Sequence, residues 1–275
     1  MFQINLTRVS IIAFLMGAVL AQPAFAGPGG GGPTGDGIGI TRADGGSLLN
    51  VIDPLRDGNY LYALFGAAGD TLLVGDWNGD GNETFGVARV DNGALLWILD
   101  FAGTGSLTYE LFGSEGDIPV VGDWDPSAAG DEIGFARPNV GDGTLEWILK
   151  DNTPGTGFSR TFFGAATDTP VPGNWDEDAN NGDELGVARA DGGALLWITE
   201  GSGGLNYTLF GAATDPPIPG DYTGNGNTNP GVRPTTGDGN VFILDTMGMG
   251  PMGIEYVQLG APTDEAFNPG ATGQP

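Results

Sequence analysis

The run Asp76-Trp77-Asn78-Gly79-Asp80-Gly81-Asn82-Glu83-Thr84 puts side-chain oxygens at alternate positions and a glycine where the chain must bend. Hard cations such as calcium take about six to eight oxygen ligands, and alternate Asp or Asn positions around a tight turn supply them. Asp76, Asn78 and Asp80 fill the first, third and fifth places, Gly81 the sixth, and Asn82 offers its carbonyl at the seventh. Glu83 and Thr84 complete the candidate metal set. Two weaker copies follow: Asp123, Asp125, Asp131 and Glu132, then Asp176, Asp178, Asp183 and Glu184, with Asn174 in first place. A third copy, from Asp221 through Thr223, Asn225 and Asn227 to Asn229, is nearly uncharged. The competing account is that these Asp and Asn side chains only close hydrogen-bonded turns.

Most other chemistry is excluded by composition. The 275-residue chain has no histidine, no cysteine and a single lysine, Lys150, against 35 acidic residues. That removes the Ser-His-Asp triad, the thiol nucleophile, and zinc held by imidazole or thiolate. Carboxylates remain in plenty, and two suffice for glycoside hydrolysis. A catalytic pair should break a repeat's symmetry, whereas most acids here follow it, so the chain is expected not to be an enzyme.

The elements that would position these loops recur along the chain. Phe-Gly appears at Phe65, Phe112, Phe163 and Phe210, with Leu259-Gly260 continuing the series in steps of 47, 51, 47 and 49 residues. Gly-Asp-Trp at Gly75 and Gly122 returns as Gly-Asn-Trp at Gly173 and Gly-Asp-Tyr at Gly220. Arginines at 42, 89, 137, 189 and 233 read as one equivalent position, with Asp70, Asp117, Asp168, Asp215 and Asp264 as candidate partners and an arginine-lined channel for an anion as the alternative. Each unit divides into four short strands, such as Leu72–Trp77, Thr84–Arg89, Ala94–Asp100 and Leu107–Gly113. Turn residues such as Asp91-Asn92-Gly93 and Asp191-Gly192-Gly193 join the second to the third. A repeated four-stranded unit of this length is a propeller blade. The series begins at a second strand near Ile38 and ends at a first strand near Asp264. The expected fold is therefore all-β: a five-bladed β-propeller closed by pairing Asp264–Gly270 with Ile38–Arg42, with an open β-solenoid as the alternative.

All six tryptophans fall at two repeat positions. Trp97, Trp147 and Trp197, with Phe242 and Asn50, read as core between blades. Trp77, Trp124, Trp175 and Tyr222 end a strand beside the Asp-rich loop and are the candidates for stacking on a ligand.

The stretch from Gly75 through Asp80 and Glu83 to Phe85-Gly86-Val87-Ala88-Arg89, taken with the Phe-Gly landmarks, resembles the FG-GAP/VCBS-type repeat of secreted bacterial proteins and the calcium-bearing blades of integrin α-chains. The likeness spans Ile38 to about Gly270. It implies a propeller with calcium between the first and second strands, and it implies no single activity.

Residues 1–26 read as a secretory signal peptide: Arg8, an apolar run from Val9 to Ala21, and the cleavage pattern Ala24-Phe25-Ala26. A Gly/Pro-rich leader (27–36), one propeller domain (37–270) and a short tail (271–275) follow. The net charge of −26 disfavours nucleic acid and anionic lipid. The expectation is a secreted or periplasmic monomer, not inserted in a membrane. It would act as a non-catalytic binding or adhesion module, supported by calcium, for an extracellular glycan or surface protein. A multivalent lectin with sites between blades, and a carboxylate glycosidase, are the alternatives.

Overall fold

The computed structural model describes residues 25–26, 35–151, 157–178, 180–234, 241–247 and 253–269. The apolar leader run, the tail and the Asp238-Gly239 turn lie outside them. Every regular element among the described residues is a strand. No helix among the described residues is long and apolar enough to cross a membrane.

Five antiparallel sheets form the five blades of a propeller. Strand β1 (Phe25–Ala26) adds to the second blade. The first blade holds β2 (Ile38–Asp44), β3 (Ser47–Asp53) and β4 (Leu61–Ala67). The second is β5 (Thr71–Gly75), β6 (Asn82–Asp91), β7 (Ala94–Asp100) and β8 (Leu107–Ser114). The third is β9 (Ile118–Gly122), β10 (Glu132–Asn139), β11 (Thr144–Lys150) and β12 (Phe158–Ala165). The fourth is β13 (Thr169–Pro170), β14 (Gly186–Asp191), β15 (Ala194–Gly201) and β16 (Gly204–Ala212). The fifth is β17 (Gly231–Val232), β18 (Val241–Asp245) and β19 (Ile254–Gln258), its first strand reduced to bridges from Pro217 to Val232 and from Gly220 to Asn229. Strand β20 (Glu265–Phe267) returns to the first blade, pairing Glu265 with Thr41, Ala266 with Ile40 and Phe267 with Gly39. The ring closes where the sequence places the closure.

Local chemistry explains the blade. The turn between second and third strands needs two positive φ angles to match strand twist, and Asn92-Gly93 (51° and 82°) and Gly192-Gly193 (57° and 94°) supply them. Near each Phe-Gly the fourth strand bulges, as between Ala94 and Leu96 in the pairing of β7 with β8. The glycine there has positive φ, and at Gly66 or Gly164 a Cβ would strike Val87 or Val187 of the following blade. The same bulge frees the Phe carbonyl, and a buried tryptophan takes it. Trp97 Nε1 donates to Phe112 O (2.8 Å), Trp147 to Phe163 O (2.9 Å) and Trp197 to Phe210 O (3.0 Å). Asn50 makes the same bond to Phe65 O through its amide (3.4 Å).

Between the blades lie five apolar clusters, one per seam. Trp97 of the second blade packs with Ile133 of the third, Trp147 with Leu185 and Val187, and Trp197 with Val232. Phe242 of the fifth blade packs with Ile38 and Ile40 of the first, and Ile52 with Val74 and Phe85. The core is thus a ring of seams, with no layer common to the whole molecule.

Candidate functional site

The loops between first and second strands hold the acids that the sequence offers as metal ligands, and the structure divides them into three jobs. In the best loop, Asp76 is buried and folds the turn around itself. Its Oδ1 accepts from Gly79 N (2.8 Å) and Asp80 N (3.1 Å), and its Oδ2 from Gly81 N (2.8 Å). Asn78 Oδ1 accepts from Asp80 N (2.9 Å), and Asp80 Oδ1 from Asn82 N (2.9 Å). Hydrogen bonds from the Asn78 and Asn82 side chains hold the exposed Asp80 carboxyl below its usual range. These residues form one compact turn with two carboxylates, an amide and a carbonyl. Thr84 does not join it. Thr84 donates its hydroxyl to Asp100 O (2.6 Å), and Glu83 is buried in β6 opposite Phe25 of β1.

In the second job, acids stitch blade to blade. Asp131 N donates to Asp76 O (2.8 Å), while Asp131 Oδ2 accepts from Asp76 N (2.6 Å). Asp183 does the same to Asp123, at 2.8 and 3.1 Å. Asp36 does it to Asp221, at 2.7 Å in both directions. At the seam of the fourth and fifth blades Thr228 N donates to Asn174 O (2.8 Å). Asp131 and Asp183 therefore bond to the preceding blade's loop, away from the loop to which their sequence position assigns them.

The third job anchors each loop to its own blade. Glu132 Oε2 accepts from Trp124 N (2.9 Å) and Asp125 N (3.2 Å), and Glu184 Oε2 from Trp175 N (2.9 Å) and Asp176 N (3.1 Å). Asp125 closes on Ser127, Asp176 on Asp178, and Asp178 on Asn180. Among the described residues no three acidic groups gather at one point. Asp76, Asn78 and Asp80 with the Asn82 carbonyl are the groups here that one loop brings together and that could hold an oxygen-ligated cation.

Burial lifts the Glu184 carboxyl to about 7, against the pull of its two backbone donors and aided by the charges of Asp176 and Glu200. Burial raises Asp36 and Asp123 as well. A carboxyl that holds its proton more tightly when folded stabilises the protein at low pH, and that stability falls as pH rises from the unfolded value toward the folded one. For Glu184 the window runs from about 4.5 to about 7. The melting temperature is expected to fall across it, and Glu184→Gln, which keeps an acceptor for both N–H groups, should flatten the fall. A slope unchanged in the variant would assign the pH dependence to other acids.

The aromatic residues beside these loops correct a second expectation. Trp77 and Tyr222 are 5% and 1% exposed, so neither offers a face to a ligand. Trp77 folds back over Gly75 and Gly86, and Tyr222 over Gly220 and Gly231, where any Cβ would collide with the ring. Trp124 and Trp175 are half-buried in the same posture, against Gly122 and Gly186.

Four of the five arginines meet the expected aspartates. Arg89 grips Asp70 through Nε and Nη2 (2.7 Å each), Arg137 grips Asp117 (2.7 and 2.8 Å) and Arg189 grips Asp168 (2.8 and 2.6 Å). Arg42 reaches Asp264 through Nη2 (2.6 Å). Arg233 is the exception. Gly86-Val87-Ala88-Arg89 has become Gly231-Val232-Arg233, one residue shorter. Val232 pairs with Ile243, as Val87 pairs with Ile98, so Arg233 stands where the other blades have alanine or threonine. A one-residue slip turns a side chain to the opposite face. Arg233 is accordingly buried beside Phe242 and donates to Asp264 O and Ala261 O across the closing seam.

The surface that the sequence reading missed lies on the fourth strands. Tyr62 and Leu64, Tyr109 and Leu111, and Tyr207 and Leu209 stand two residues apart on one face of their blades, each 61–64% exposed. Each pair precedes a Phe-Gly, giving Tyr-x-Leu-Phe-Gly three times. No protein family, curated protein or solved structure matches the chain.

Proposed function

We propose that this chain is an exported, non-catalytic binding module that engages an extracellular surface through equivalent sites on several blades. The observation that carries this reading is the threefold Tyr-x-Leu pair, exposed at the rim and covered by nothing else among the described residues. Scattered exposed apolar residues need no explanation, whereas repeated ones on edge strands are an aggregation hazard unless a partner covers them. The leader pattern of residues 1–26 supports export. The acids are largely committed to turns, seams and loop anchors, which favours binding over carboxylate catalysis.

Calcium belongs to this proposal as a support for the fold. Asp76, Asn78 and Asp80 with the Asn82 carbonyl would hold it, and its charge would offset local repulsion in a chain of net charge −26. The resemblance of this loop to calcium-bearing propeller repeats supports that part alone.

One experiment addresses both parts. The full chain is presented to intact cells, polysaccharides and matrix-type proteins, with calcium or with chelator. Tyr62→Ala/Tyr109→Ala/Tyr207→Ala is expected to abolish retention without lowering the melting temperature. Asp80→Ala is expected to keep retention and lose the rise in melting temperature that millimolar calcium gives. Retention unaffected by the triple substitution would sink the rim reading, and identical melting in calcium and chelator would leave the loop a turn only.

A further inference from the structure

The rim pairs do not stand alone on their blades. Cross-strand register places Arg89 beside Leu96 and Leu96 beside Leu111, and in the next row Val87 beside Ile98 and Ile98 beside Tyr109. Arg89, Leu111 and Tyr109 therefore share one face. The same rows bring Arg42, Leu64 and Tyr62 together on the first blade, and Arg189, Leu209 and Tyr207 on the fourth. The three arginine side chains are 42%, 29% and 41% exposed, in chain order. In Arg89 and Arg189 the aspartate occupies Nε and Nη2, so Nη1 keeps its protons for solvent. The Asp70 hydrogen bond and, less strongly, the Tyr109 hydroxyl raise the Arg89 pKa, and Asp168 and Tyr207 do so for Arg189.

Each face thus offers an aromatic ring, an aliphatic side chain and a fixed N–H donor whose positive charge is already balanced. Sites that recognise small ligands combine apolar walls with a few placed polar groups in this way. Resting on the binding-module reading, we propose that the first, second and fourth blades each bind one unit of a neutral glycan. The C–H face of a pyranose packs on tyrosine and leucine, and a hydroxyl oxygen accepts from arginine.

The charge pattern selects this ligand over its rivals. A balanced Arg–Asp pair gives no net attraction for a carboxylate or phosphate, and a chain of net charge −26 repels polyanions and its own copies. An added peptide strand is disfavoured because the rim strands bulge opposite Ser47/Leu49, Ala94/Leu96 and Ala194/Leu196 of their neighbours, which twists the edge away from a straight partner.

The other two blades lack the site for separate reasons. On the third, Arg160 stands in the tyrosine position and Glu146 in the central leucine position, and Arg160 Nε donates to Glu146 Oε1 (2.7 Å). On the fifth, Gln258 replaces leucine and Arg233 faces the opposite side.

Titration calorimetry of the full chain tests the inference. The probes are neutral tri- and tetrasaccharides of glucose, galactose, mannose and N-acetylglucosamine, oligouronates of equal length, and a lysine-rich peptide, with sedimentation to detect self-association. A neutral probe is expected to bind with three sites per chain. Each of Tyr62→Ala, Tyr109→Ala and Tyr207→Ala should remove one site and leave the rest unchanged, while Glu146→Leu/Arg160→Tyr should add a fourth. Retention on the immobilised polymer should fall roughly 10²-fold or more once a single site remains. No binding of any neutral probe, a preference for uronates, or a stoichiometry indifferent to the tyrosines would overturn the glycan assignment. Tyrosine-dependent binding of the peptide alone, or tyrosine-dependent self-association, would also overturn it while leaving a binding rim in place. Loss of every interaction would overturn both.

Discussion

A chain ending at Leu259 is expected to have no cooperative melting transition and to aggregate, whereas one ending after residue 270 melts like the full chain. The argument is local. Strand β20 supplies the first strand of the first blade, and without it β2 is an unpaired edge beside the fifth blade. Arg42 loses the Asp264 carboxylate, and Arg233, buried at 6% exposure, loses both of its carbonyl acceptors. Asp36 loses the Asn268 amide (3.2 Å) that helps to hold it in a buried site, and Gly39 loses the ring of Phe267 that covers it. Stranded buried charges cost about 3–5 kcal/mol each. Stranding Arg233 alone would remove a large share of a typical domain's whole stability of about 5–15 kcal/mol, and the lost pairing of β20 adds to it. Far- and near-ultraviolet circular dichroism during heating reads the result. A sharp transition in the shortened chain would mean that the ring closes by other contacts.

The blade and its count were legible because they depend on short-range chemistry. Phe65-Gly66 and its copies mark bulges that only glycine permits, and Asn92-Gly93 marks a hairpin turn. The pairing of Glu265–Phe267 with β2 follows from counting first and second strands. The stitching by Asp131 and Asp183 was not legible, since those bonds join residues 55 and 60 positions apart on different blades. Trp77 looked exposed because a strand end beside a loop often is, and its fold-back onto Gly75 and Gly86 depends on the path of the loop. Nothing in the sequence singles out Tyr109 and Leu111, because apolar residues at alternate strand positions usually belong to a core. Their exposure arises because neighbouring blades meet at the inner strands and diverge toward the rim. The slip at Arg233 was visible in principle: aligned on Gly231 in place of the arginine, the fifth copy is one residue short.

That slip yields a comparison within one molecule. Asp168 and Asp215 are 3% and 6% exposed and cap the same turn, accepting from Ala165 N (2.7 Å) and Ala212 N (2.8 Å). Asp168 also receives Arg189, whereas among the described residues no arginine reaches Asp215. Asp215→Ala should therefore cost the turn hydrogen bond alone, about 1 kcal/mol. Asp168→Ala should cost that bond and the ion pair, about 2–3 kcal/mol, a figure reduced from the value for a fully buried pair because the Arg189 side chain is 41% exposed. In a domain of this size these losses lower the melting temperature by about 2–4 °C and about 5–10 °C respectively. A double-mutant cycle separates pairing from capping. Asp168→Ala with Arg189→Met should show a coupling of about 1–2 kcal/mol, and Asp215→Ala with Arg233→Met a coupling near zero. Equal couplings at the two sites would put Arg233 back on the same face as the other four arginines, and the exclusion of the fifth blade from the rim count would then rest on Gln258 alone.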